Sequence, residues 1–204
     1  MTVLYAGSAL EFGMDIASAS DEALFASIAG GDERAFAEIV DRHLQKVATI
    51  AARMLNNQAE AEDVAQEAML KVWTRASLWQ PGMAKFSTWL YRVTMNLCID
   101  RMRRDRVKKV EIAETLVDEQ ADPGRDLERF QLKEAVSRAL DALPPRQKAA
   151  IVLCHYEGFS GKEAAQTLGV SVLAVQSLLL RARVSLRETL ATYAPLMGGT
   201  HEEA

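Results

Sequence analysis

The chain has 204 residues, 49% of them apolar and 25% charged, and carries a formal net charge of -4. That is enough apolar material for two small cores and a two-domain organisation. The acidic balance excludes a protein that grips free DNA unaided, because such affinity comes mainly from neutralised phosphates.

The opening stretch MTVLYAGSALEFGMDIASAS lacks the basic flank of an export signal, and Glu11 and Asp15 interrupt its apolar content. Helical patterning begins after Met14, so Met14 is a candidate translation start and residues 1–20 are read as an extension. The longest apolar run, AAIVLC at 149–154, falls far short of the ~20 residues of a membrane span. A cytoplasmic location follows as the expectation.

From Phe36 the apolar residues recur at helical spacing: Phe36, Ile39, Val40, Leu44, Val47, Ile50 and Met54 on one predicted helix, then Val64, Ala68 and Val72 on the next. Asp32 is placed to cap the first, and Asn57 with Glu60 has capping-box spacing at the start of the second. Pro81-Gly82 breaks the chain, after which Ser87 can cap a long helix through WLYRVTMNLCIDRMRRDRVKK. Its end is basic, with Arg101, Arg103, Arg104, Arg106, Lys108 and Lys109.

The charge then reverses through Glu111, Glu114, Asp118, Glu119, Asp122, Asp126 and Glu128, with an Asp122-Pro123-Gly124 turn signal, which marks residues 111–126 as a linker. Helices resume near Leu127, with Leu132, Ala135, Val136, Ala139, Leu140 and Leu143 on one face, and Pro145 suits the first position of the next. The stretch SGKEAAQTLGVSVLAVQSLLLRARVSLRETL reads as a helix-turn-helix. Ser160 and Glu163 form a capping box, Gly169 suits the sharp turn, and Ser171 caps the second helix. No strand and no internal repeat is predicted, so the expected fold is all-α. Its parts are residues 21–110, the linker, a second domain at 127–191 and a tail at 192–204, too short for a regulatory domain.

On a wheel of 100° per residue, Val175, Leu179, Ala182 and Leu186 share a core side with Leu178 at its edge. Leu180 projects the opposite way, among Gln176, Arg183, Val184 and Arg187. The exposed face is therefore basic but partly apolar. Leu180 suits a thymine methyl beside Gln176 on an adenine edge, or alternatively a protein surface.

His43, Cys98, Cys154, His155 and His201 are the soft metal ligands, and none has zinc-site spacing. The chain carries no glycine-rich phosphate loop. Neither a metal, a cofactor nor catalysis is expected. Cys98 and Cys154 read as buried free thiols in a reducing compartment.

Three clusters, AEDVAQEAMLKVW at 61–73, FSTWLYRVTMNLCIDRMRR at 86–104, and residues 143–187 with the helix-turn-helix, appear in order around the acidic linker. This set resembles the extracytoplasmic-function sigma factors, the two-domain initiation subunits of bacterial RNA polymerase, and covers residues 24–190. The resemblance implies that the first domain is region two and the second region four. It assigns Asp63, Gln66, Glu67 and Trp73 to docking on core polymerase, where carboxylates beside apolar anchors suit a partly basic surface. It assigns Phe86, Trp89, Tyr91, Asn96, Asp100, Arg103 and Arg104 to the minus-ten element, with aromatics and Asn96 holding a flipped base and the arginines holding phosphates. At helical spacing some of those aromatics must also be core.

The resemblance further assigns Lys162, Gln176, Ser177, Leu180, Arg181, Arg183 and Arg187 to the minus-thirty-five element in the major groove. Many members carry glycine or basic residues where this chain has Leu173, Gln176 and Leu178, so the resemblance does not carry a base preference over to it. The implied partners are core polymerase, promoter DNA and an anti-sigma factor, often membrane-anchored, that acts in trans until a stress signal. Two alternatives remain: a sigma mimic, favoured by Leu173 and Leu180, and a free-standing repressor, disfavoured by the acidic balance and the additional domain.

Overall fold

The computed structural model describes residues 15–78, 85–112 and 127–193, without the side chains of 107–112, 127–130 and 192. The predicted break at Pro81-Gly82, all but the first two residues of the linker, residues 1–14 of the extension, the tail from 194, and the side chains of Lys108 and Lys109 lie outside the described residues. Eight α-helices make up the described chain, with no strand among the described residues. They are α1 (Asp21–Ala29), α2 (Glu33–Leu55), α3 (Gln58–Arg75), α4 (Phe86–Ile112), α5 (Leu127–Ala142), α6 (Pro145–Ile151), α7 (Gly161–Leu168) and α8 (Val172–Thr189).

Local chemistry sets most boundaries. The Asp32 carboxylate accepts from the amides of Arg34 and Ala35 to start α2, and Asn57 accepts from Glu60 to start α3. Asn56 ends α2 in the left-handed conformation at φ 51°, which asparagine tolerates well. The start of α4 differs from the expectation. Ser87 lies inside the helix; the Phe86 amide donates instead to the Glu22 carboxylate of α1 at 3.0 Å. That acid, distant in sequence, acts where a neighbouring serine was expected.

The first core lies within α1 to α4 and gathers Leu24, Phe25, Ile39, Val47, Val72, Phe86 and Leu90. Leu44, expected on the core side of α2, is 37% exposed at its edge. Arg42 ties down the approach to α1, donating to the carbonyls of Ile16, Ala17 and Ala19 and pairing with Asp21 and Glu38.

The second half is organised around α8, whose Ala182 packs with Leu143 and Ile151. A π-helical turn, Val152–Tyr156, extends α6, and Gly158 follows at φ 71°. The capping box of Ser160 and Glu163, the left-handed Gly169 at φ 65° and the Ser171 cap all form as the sequence predicts.

The third core joins the halves. Ile50, Ala51 and Met54 of α2, Val64 of α3, and Met95, Cys98 and Ile99 of α4 meet Ala149, Val152, Leu153, Ala164, Ala165 and Val175. In this arrangement α4 touches both α6 and α7.

Phe86 is fully buried among Phe25, Trp89 and His43. Phe86→Ala is expected to cost about 3–5 kcal/mol in urea denaturation, the range for truncating an enclosed ring. A midpoint unchanged from the parent would contradict this placement.

Candidate functional site

The acidic surface lies on α3. Asp63, Gln66 and Glu67 recur at three- and four-residue spacing and so share one face. Gln66 is exposed, and the Asp63 and Glu67 side chains are 66% and 39% exposed. Leu70, 58% exposed, continues the stripe, and Trp73 packs its ring edge-on to Phe36 at 5.2 Å. Leu70 was missing from the sequence assignment, although its position three residues beyond Glu67 already placed it on that face.

Arg101 reaches this stripe from α4. Its guanidinium lies 3.5 Å from Asp63 and 3.8 Å from Glu67, and donates to the Glu60 carbonyl. Its own side chain is 17% exposed. The basic end of α4 is therefore divided between faces. Arg101 organises carboxylates, Arg106 donates to the carbonyls of Ala142 and Leu143, and Arg103 and Arg104 stay exposed.

The second surface is the outer stripe of α4, where Asn96, Asp100, Arg103 and Arg104 are exposed at helical spacing. Arg103 lies 3.9 Å from Asp100, both well solvated, a weak pair that leaves the arginine available. The aromatics assigned to this surface separate. Phe86 has no surface to offer a base in this conformation, which corrects its sequence assignment: helical spacing turned it inward. Trp89 is half-buried beside Phe25 at 5.1 Å. Tyr91 faces the second half, its ring 5.7 Å from Phe159, and burial raises its phenol pKa, with the Asp21 and Glu157 carboxylates adding to the effect.

The third surface is on the helix-turn-helix. Val175 and Ala182 are fully buried, whereas Leu173, Leu180 and Val184 are 72%, 63% and 45% exposed. Gln176, Arg181 and Arg187 are exposed with them, and Arg183 lies 3.3 Å from His155. Ser177 is half-buried and its hydroxyl donates to the Leu173 carbonyl, which leaves it as an acceptor toward a ligand. Lys162 is exposed on α7. Among the described residues no group of histidine, cysteine, aspartate and glutamate could hold a metal ion. No single helix among them is long and apolar enough to cross a membrane.

The family described as Sigma-70 region 2 matches residues 39–107, and that described as Sigma-70, region 4 matches residues 133–186. Both halves of a sigma factor are thus present in one chain. The ECF RNA polymerase sigma factor SigE of Mycolicibacterium smegmatis is 36% identical over 173 residues, 81% of this chain and 66% of that protein. The corresponding factor SigW of Bacillus subtilis is 33% identical over 171 residues, 78% of this chain and 91% of that protein. The solved structure of CnrH in complex with the cytosolic domain of CnrY is similar at a TM-score of 0.60 and 29% identity, covering 84% of this chain and 97% of that one. The chain belongs to the ECF family of RNA polymerase sigma factors.

The two thiols differ in enclosure, Cys98 being buried and Cys154 half-buried. Burial pushes Cys98 up to about 12, against the opposing pull of Arg101 and Lys148, whereas Cys154 is raised by a partial burial that Arg183 opposes. Because the thiolate is the reacting form, alkylation of the native protein at pH 8 is expected to modify Cys154 first, with Cys98 at least about tenfold slower. Equal rates by mass spectrometry would contradict the enclosure of Cys98.

Proposed function

We propose that this protein is an alternative sigma factor that binds RNA polymerase core and directs initiation at a specific set of promoters. The observation that carries this reading is the presence, on one chain, of an acidic and apolar stripe on α3, a basic stripe on α4 and an exposed reading face on α8. Residues 21–110 serve as region two and residues 127–191 as region four, joined by the acidic linker. Catalysis belongs to the polymerase, and the protein acts in the cytoplasm where its DNA lies.

On the acidic stripe, Asp63, Gln66, Glu67 and Trp73 dock on the polymerase, with Leu70 as a further apolar anchor. Trp89, Tyr91, Asn96, Asp100, Arg103 and Arg104 engage the minus-ten element, the aromatic and amide groups receiving an unstacked base. Gln176, Ser177, Leu180, Arg181, Arg183 and Arg187, with Lys162 on a phosphate, read the minus-thirty-five element. An anti-sigma factor holds the protein inactive until a stress signal; the similarity to CnrH, solved in complex with the cytosolic domain of CnrY, supports a protein partner. The exposure of Leu173 and Leu180 favours a second reading, a mimic that occupies an anti-sigma factor without initiating transcription.

Run-off transcription by core polymerase from the promoters of this gene and its neighbours separates the two. Specific transcripts dependent on the protein are expected; failure to bind core, together with tight binding to an anti-sigma factor, would establish the mimic. Reversing charge with Asp63→Lys and Glu67→Lys should weaken core binding at least about tenfold, as like charges meet. In holoenzyme, Arg183→Ala and Arg187→Ala should each reduce the slope of log affinity against log salt by about 1, the signature of a lost phosphate contact. An unaltered slope would place those arginines off the DNA.

A further inference from the structure

Arg101 belongs to the basic run of α4 yet does not share the outward stripe of Asn96, Asp100, Arg103 and Arg104. One residue beyond Asp100, it turns about 100° further round the helix, onto the side that meets α3. There its side chain is 17% exposed, and its Nε is buried with no hydrogen-bond partner among the described residues. The rest of the guanidinium is directed at three acceptors on α3. Nη1 donates to the Glu60 carbonyl at 3.3 Å and lies 3.5 Å from Asp63 Oδ2, while Nη2 lies 3.8 Å from Glu67 Oε2. Glu67 is held by a second cation as well, its Oε1 lying 3.2 Å from Lys71 Nζ one turn on. A planar fork with donors fixed in space can face two carboxylates at once, whereas a lysine ammonium on a flexible stem is a single point charge.

Like charges four residues apart on a helix repel one another, and solvated acidic side chains spread over several rotamers. Arg101 opposes both effects from α4. Its contacts leave Asp63 at 66% exposure and Glu67 at 39%, so the two carboxylates are oriented and still accessible. Acceptors already held in place have less rotamer freedom to lose when a cationic surface docks on them.

We propose that Arg101 is a positioning residue for polymerase docking: it presents Asp63 and Glu67 to the core and takes no part in holding DNA. The inference rests on the assignment of the α3 stripe to the core. Positioning and bulk charge predict opposite signs. Removing the guanidinium makes the stripe more acidic by one charge, which by charge alone would tighten binding to a basic surface. Loss of positioning weakens it.

Titration of core polymerase with the full chain carrying Arg101→Met tests this. Affinity is expected to fall roughly fivefold, a modest coupling for members of one ion-pair network. Arg101→Lys, which keeps the charge and loses the fork, should recover only part of that loss. In a chain already carrying Asp63→Asn and Glu67→Gln, adding Arg101→Met should cost nothing further, because no carboxylate remains to be positioned. With core at saturation, the slope of log promoter affinity against log salt should be unchanged by Arg101→Met, whereas a lost phosphate contact would lower it by about 1. Core binding by Arg101→Met as tight as the parent's or tighter would overturn the proposal. So would the same loss in the Asp63→Asn, Glu67→Gln background, or a reduced salt slope. If Arg101→Met loses its helical circular dichroism, Arg101→Lys decides alone, and parental core affinity in that variant overturns the role of the fork. If Asp63→Asn with Glu67→Gln leaves core binding intact while Arg101→Met folds, the docking assignment itself fails and the positioning role with it.

Discussion

The structure depends on α4 packing in two directions at once. Phe86 and Leu90 enter the core of the first half, while Met95, Cys98 and Ile99 enter the core shared with α6 and α7. A single helix of 27 residues thus has one side committed to folding, one to the partner domain and a remaining stripe to solvent. Asn96, Asp100, Arg103 and Arg104 occupy that stripe. Its narrowness is why the basic end of the helix cannot act as one electrostatic patch: the helical period distributes consecutive arginines over three environments.

That distribution reconciles an acidic protein with nucleic-acid binding. The net charge of -4 opposes approach to a phosphate backbone, and the packing of the two halves deepens the opposition by engaging Arg92 and Arg106 internally. Lys46 and Arg53 share the single carboxylate of Glu157, which solvent does not reach, so losing both cations would leave that carboxylate an uncompensated buried charge. Such contacts contribute more to holding one defined arrangement than surface pairs such as Arg103 with Asp100.

The sequence announced what is encoded locally. Asp32, Asn57, the Ser160 and Glu163 box, Gly169 and Ser171 each act within four residues, and each sits where local rules put it. The wheel of α8 was equally legible, because one helix packed on one side exposes Leu180 by period alone. What escaped involves distant partners. Glu22 supplanted Ser87 as the cap of α4, and Arg101 turned to carboxylates 34 and 38 residues earlier in the chain. Phe86 reads alike as a base-receiving aromatic or a core ring until its neighbours are known. The joining surface carried no sequence signal, since Ala149, Val152, Leu153 and Ala164 are what any small helical core would use.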